Sequence, residues 1–118
     1  MIKVADIRPY GKKIDLIAMV IQKEEPKEVL GRLDNTKHKV TEALVGDPSG
    51  CILLTLWDSA IDVVQPGKSY KVTNAYASAF KNSIRLNIGR YGKIEETAEN
   101  PGEPNKANNL SQKELSAK

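Results

Sequence analysis

The sequence predicts an all-β domain, a five-stranded Greek-key barrel with a short helical turn between its third and fourth strands and a disordered C-terminal tail. Three observations predict it. Five runs of strand length carry alternating or continuous apolar residues. Clusters of Pro, Gly and Asn separate those runs at short intervals. Between the third and fourth runs, Ser59 to Val64 is too short for a full-length helix.

The first strand is Lys13 to Gln22, apolar on both faces in its second half and bounded by Tyr10-Gly11 and Glu24-Glu25-Pro26. That pattern suits a central, curved strand. Lys23 to Lys39 is rich in charge and turn formers (Pro26, Gly31, Asp34-Asn35) and reads as a long loop or a hairpin tip. Its Lys27, Arg32, Lys37 and Lys39 add candidate phosphate contacts. The second strand is Val40 to Val45 and the third Cys51 to Trp57. Between them, Gly46-Asp47-Pro48-Ser49-Gly50 has Pro and Gly where a type I turn with a following bulge uses them.

Ser59 to Val64 reads as one helical turn, closed by Gln65-Pro66-Gly67-Lys68, a type II turn with Pro and Gly in its central positions. The fourth strand runs from Tyr70 to Ala77. The fifth runs from Ser83 to Gly89, with Ile84, Leu86 and Ile88 inward and Arg85 and Asn87 outward. Phe80-Lys81-Asn82-Ser83 joins them. This order of elements matches a five-stranded Greek-key barrel of the OB type, an OB-fold. An SH3-like barrel or an open β-sandwich is the alternative.

Residues 96–118 are rich in Glu, Asn, Pro and Lys and nearly devoid of apolar side chains, so they cannot offset their own ordering entropy. The expected division is therefore a nucleic-acid-binding domain over 1–95 and a flexible polar tail over 96–118. Within the tail, Leu110-Ser111-Gln112-Lys113-Glu114-Leu115 has capping-box spacing. It reads as a short partner-binding helix or as a chance match in a disordered segment.

Composition narrows the function. One cysteine, Cys51, and one histidine, His38, are too few for a disulfide framework, a Cys-His zinc site or a multi-histidine metal centre, so binding without metal or other cofactor is expected. No apolar stretch approaches the roughly 20 residues of a membrane helix, and Met1 to Asp6 lacks an apolar signal region, which points to an intracellular, cytoplasmic protein with no membrane partner. No Gly-rich phosphate loop, Cys/His nucleophile pair or convincing acid pair suggests an enzyme. Asp47 and Asp58 read as turn and strand-end residues.

The net charge is only +3, but it is segregated. From Ser69 to Ile94, Lys71, Lys81, Arg85, Arg90 and Lys93 lie among Tyr70, Tyr76, Phe80 and Tyr91 without one acidic residue. Fixed positive charge meets phosphates and flat apolar faces meet unstacked bases, so this is the chemistry of a single-stranded nucleic-acid surface.

Individual residues differ in what they imply. Strict alternation in the third strand puts Ile52, Leu54 and Leu56 on one face and Cys51, Leu53, Thr55 and Trp57 on the other, so Trp57 is outward if the first face is the core. Phe80, the sole phenylalanine, sits among small and polar residues at a turn, either as an exposed platform or folded back over the barrel end. For Tyr76, uninterrupted alternation from Tyr70 and Val72 points inward, whereas a bulge near Asn74-Ala75 points outward. Tyr70 and Tyr10 read as packing residues, and Tyr91 is open. Lys81 and Arg85 are the first phosphate candidates, followed by Arg90 and Lys93.

Four motifs carry a resemblance: Glu42-Ala43-Leu44-Val45-Gly46-Asp47, Leu54-Thr55-Leu56-Trp57-Asp58, Gln65-Pro66-Gly67, and Asn74 through Lys81. In order and spacing they resemble the archaeal single-stranded DNA-binding proteins with one OB fold, and over roughly residues 3–95 the human-type single-stranded DNA sensor proteins look similar. The resemblance implies an aromatic platform at Trp57, Tyr76 and Phe80, with Tyr76 outward. It departs from the pattern at Asn82, where glycine is common, and at Asn87, where the eukaryotic relatives tend to carry an aromatic. The expected function is sequence-tolerant binding of single-stranded DNA in replication, recombination or repair, with replication or repair proteins as partners through the tail. Single-stranded RNA binding, or a protein-interaction role for the domain, is the alternative.

Overall fold

Alternation of apolar residues makes Ile14–Lys23 a strand, β1, with Ile14, Leu16, Ala18 and Val20 turned inward. The computed structural model describes residues 1–31 and 33–113. After β1 come β2 (Lys27–Leu30), β3 (Lys37–Asp47), β4 (Gly50–Trp57), the helical turn α1 (Ser59–Val63), β5 (Ser69–Phe80), β6 (Ser83–Asn87) and β7 (Lys93–Glu96). Among the described residues, no helix is long and apolar enough to cross a membrane.

Five of these strands close a ring. β1 pairs with β3, β3 with β4, β4 with β6, β6 with β5, and β5 returns to β1. Only the β4–β6 contact is parallel, and it comprises two residue pairs, Leu54↔Leu86 and Thr55↔Asn87. This is the OB barrel that the order of elements predicts. Its interior is filled by Leu16, Val20, Ile52, Leu54, Leu56, Val72 and Leu86, all buried. Closure leaves these five strands with few unpaired edges.

Several boundaries move. Of the two readings of the stretch after β1, a long loop or a hairpin tip, the hairpin holds: the stretch contains β2, which pairs with the start of β3. The β3–β4 connection is a two-residue turn at Pro48-Ser49 with Asp47 opposite Gly50, so the expected bulge is absent. The Asp47 carboxylate replaces it, accepting from the Ser49 N–H (2.8 Å) and from the Val4 N–H (3.0 Å). The turn at Gln65–Lys68 is as expected, with Gly67 at φ 87°.

Helix α1 is one turn long and is held from outside. The Lys23 ammonium donates to the Ile61 and Val64 carbonyls at 2.8 and 2.9 Å, capping the end where carbonyls lack partners. The buried Tyr70 hydroxyl donates to the Val63 carbonyl (2.9 Å) and accepts from the Gln65 N–H (2.8 Å), which is the packing role expected of it. Tyr10 is different: it sits at φ 63° in the loop before β1, 70% exposed, and does not pack.

Residues 97–109 have little regular structure, in keeping with their composition, but they lie against the barrel. The Asn105 N–H donates to the Asp47 carbonyl (2.9 Å) and the Cys51 N–H to the Asn108 carbonyl (3.0 Å). The buried Ser111 hydroxyl accepts from the Leu53 N–H (2.9 Å) and donates to the Ile84 carbonyl (2.6 Å). Ser111 therefore does not cap a helix. Leu110–Gln112 is a single 3₁₀ turn whose cap is Asn109, accepting from the Ser111 N–H at 3.0 Å. Glu114 and Leu115, the rest of the expected capping box, lie outside the described residues.

Candidate nucleic-acid interface

An added residue in β5 creates the candidate site. Ile14 faces Ala75 and Leu16 faces Val72, so two steps on β1 oppose three on β5. Asn74, at φ 55°, takes up the extra residue in the left-handed conformation that Asn tolerates. Val72 and Ala75 both stay buried, and Tyr76 is turned outward. The bulge resolves the two readings of Tyr76.

Trp57, Tyr76 and Phe80 are 49%, 42% and 55% exposed and line one continuous groove. The groove begins at Phe80 and Val29, passes Thr55, Trp57 and Asn87, and reaches Tyr76, Gly89 and Arg90. Strand register explains this. Thr55 is opposite Asn87, and Asn87 is opposite Tyr76. Gly89, at φ 77°, lets the Tyr76 ring lie close, since a Cβ there would sit 2.9 Å from Tyr76 Cε1.

Phe80 ends β5 at a two-residue turn in which Lys81 and Asn82 both have positive φ, 50° and 64°. That is the type I′ geometry whose twist matches the flanking strands. It places the Lys81 ammonium 5.4 Å from the centroid of the Phe80 ring. The Arg85 guanidinium lies 5.8 Å from the same ring.

The expectation for Arg85 needs correction. It faces outward, but its Nε donates to Glu42 Oε2 at 2.5 Å and its Nη1 donates to the Ser83 hydroxyl. With only 13% of its side chain exposed and its charge balanced by Glu42, it braces Phe80 and is not a free phosphate contact. Lys37, Lys81 and Arg90 are exposed; Arg90 lines the groove, Lys81 stands beside Phe80, and Lys37 lies opposite Leu30 in the hairpin. Arg32 lies outside the described residues. The sequence reading missed Glu42, Thr55 and Asn87 as groove residues. Alternation shows the outward position of the last two, but nothing local shows that Glu42 would reach Arg85.

Beside Trp57 lies a charged cluster. His38 Nδ1 is 2.9 Å from Asp58 Oδ2, and its Nε2 is 3.2 Å from Asp34 Oδ2. Asp58 also accepts from the Lys39 N–H at 3.0 Å. Hydrogen bonds to Asp58 and then Asp34 raise the His38 pKa above 6.5. The Asp34 carboxyl is lowered to about 2, chiefly by the Thr36 N–H, and that of Asp58 is lowered chiefly by the Lys39 N–H. A raised histidine stabilises the folded hairpin fully below the unfolded value of 6.5, and that contribution is lost as pH rises through the folded value. The lowered carboxylates act above 3.8 and lose their effect as pH falls through their folded values. The cluster is thus complete between those limits. An NMR titration of the His38 ring is expected to show a midpoint above 6.5, and Asp58→Asn should lower it more than Asp34→Asn does. A midpoint at or below 6.5 in the unaltered protein contradicts the assignment.

Comparison with known proteins bears on this site. The family model described as single-stranded DNA binding protein Ssb-like, OB fold, matches residues 7–96. The single-stranded DNA binding protein Ssb of Saccharolobus solfataricus is 31% identical over 97 residues, covering 82% of this chain and 64% of that protein. An uncharacterised protein of Arabidopsis thaliana is also 31% identical over 97 residues, covering 82% of this chain and 63% of its own length. The chain thus spans somewhat less than two thirds of these relatives. Among solved structures, a hypothetical protein from Arabidopsis thaliana superposes with a TM-score of 0.81 at 28% identity, over 99% of this chain and 86% of that one. The second OB-fold domain of replication protein A from Methanococcus maripaludis does so at 0.67 and 22% identity, over 84% and 96%, which bears on the fold alone. With this match over most of its length and a groove walled by the strands of an OB barrel, the chain belongs to the Ssb-like family of single-stranded DNA-binding proteins.

Proposed function

We propose that this chain binds single-stranded DNA with little regard to sequence, by stacking bases on Trp57, Tyr76 and Phe80 while cations neutralise the backbone. The observation that carries this reading is the exposure of these three large rings along one groove. Every base has a flat face, so stacking holds DNA without reading it. Tyr76 and Phe80 are four residues apart on β5, about 13 Å at the usual strand rise. In a duplex each base face is already covered by its stacked neighbours, so stacking on protruding rings favours single strands over duplex.

Lys81 and Arg90, with Lys37 from the hairpin and Arg32, supply the phosphate contacts in this reading. The protein acts by binding, without chemistry of its own, in replication, recombination or repair, and alongside proteins of those processes. Titration of a labelled dT oligomer at several salt concentrations tests it. About four neutralised phosphates give a slope of log affinity against log salt of roughly −3. A slope near zero contradicts the electrostatic part, and no binding at low salt contradicts the whole. Competition with a matched RNA oligomer shows whether the groove distinguishes the two sugars.

A further inference from the structure

The groove does not stop at Tyr76. A further section shares Tyr76, Gly89 and Arg90 with the part already described and continues to Lys12, Lys13 and Tyr91. Barrel closure brings these distant segments together. The Ala77 N–H donates to the Gly11 carbonyl at 2.8 Å, drawing the Lys12-Lys13 loop beside β5. The Asn74 side-chain amide donates to the Tyr91 carbonyl at 3.4 Å. At Gly92 an added Cβ would lie 1.9 Å from the Ile88 carbonyl oxygen, so the backbone that presents Tyr91 is packed tightly against its neighbour. The Tyr91 side chain itself is 78% exposed.

The groove is not uniform in charge. At the Phe80 end Glu24, Glu25 and Glu42 stand with Lys27 and Arg85, and in the middle Asp58 stands with His38 and Arg90, whereas Lys12, Lys13 and Arg90 line the Tyr91 end with no acidic side chain among its described lining residues. Asp15, on the neighbouring strand, has its Oδ1 occupied by the Asn74 N–H at 2.7 Å. At the Tyr91 end backbone phosphates therefore meet three cations without an acidic neighbour in the lining, beside an aromatic face.

We infer that Tyr91, Lys12, Lys13 and Arg90 form a fourth nucleotide subsite, which takes the next base and phosphate of the strand that leaves Tyr76. This rests on the reading of the groove given above. It assigns a role to Tyr91 and to the loop before β1.

The experiment is a length series of labelled dT oligomers, read by fluorescence anisotropy, with the unaltered chain and the variants Tyr91→Ala, Lys12→Ala/Lys13→Ala and Trp57→Ala. Tyr91→Ala is expected to leave the shortest binding oligomers unaffected and to weaken longer ones at least about fivefold, the lower range for one lost stack. The double lysine variant should flatten the salt slope by about 1.4 for long oligomers only. Coincident curves for Tyr91→Ala and the unaltered chain at every length, or an equal loss at every length, overturn the fourth subsite. If Trp57→Ala weakens binding in that case, the groove itself stands. If Trp57→Ala is also silent, both readings fall.

Discussion

Replacing Trp57 with alanine is expected to weaken binding of a dT oligomer by roughly 5- to 150-fold, equivalent to about 1–3 kcal/mol for one lost base stack. Trp57 is the ring with most to lose, because it lines both the Phe80 and the Tyr76 sections of the groove. Its loss interrupts the row in the middle. Trp57→Phe keeps an aromatic face and should retain most of the affinity, which separates stacking from shape. Since the indole is about half exposed, the thermal midpoint of Trp57→Ala should move far less than that of a core variant. Anisotropy with a labelled oligomer checks the affinity, as intrinsic fluorescence disappears with the indole. Unchanged affinity in Trp57→Ala rules out the central platform.

Leu54→Ala should have the opposite signature, a loss of about 2–5 kcal/mol of stability with affinity preserved in the folded protein. Leu54 is fully buried, and on β4 it pairs with Ala43 of β3 and Leu86 of β6, so its cavity opens where three strands meet. For a domain of this size that loss lowers the melting midpoint on the order of 10 °C or more. A saturating dT oligomer should raise the midpoint of this variant as it does that of the unaltered chain, through a stabilisation of about 2.7 kcal/mol at a hundred times the dissociation constant. Calorimetry with and without oligomer reads both effects. A midpoint within a degree or two of the unaltered chain's contradicts the central place given to Leu54.

What could be read from the sequence follows how local each determinant is. The alternation of Ile52, Leu54 and Leu56 set the core face of β4, and Pro66-Gly67 announced its turn, because both depend on neighbouring residues. The outward turn of Tyr76 was ambiguous, since a period of two is silent about where one residue is inserted, and only pairing with β1 shows the bulge at Asn74. Arg85 read as free because its partner Glu42 is 43 residues away. Tyr10 read as packing although the loop that carries it stays outside. Lys12 and Lys13 gave no signal, because their place beside β5 is fixed by partners more than 60 residues away, Ala77 bonded to Gly11 and Ala75 opposite Ile14. The attachment of residues 97–113 escaped composition for the same reason: it is made largely by backbone and Asn and Ser side chains, with Leu110 and Pro104 as its few apolar contacts.

The Ser111 hydroxyl, bonded to β4 on one side and β6 on the other, continues a seam in which those strands share only two residue pairs. Its partner Leu53 lies 58 residues earlier. During synthesis from the N-terminus, that stitch has to wait until the last part of the described chain has left the ribosome. The residue that reinforces the β4–β6 wall beyond its own two pairs is therefore among the last of the described chain to be made.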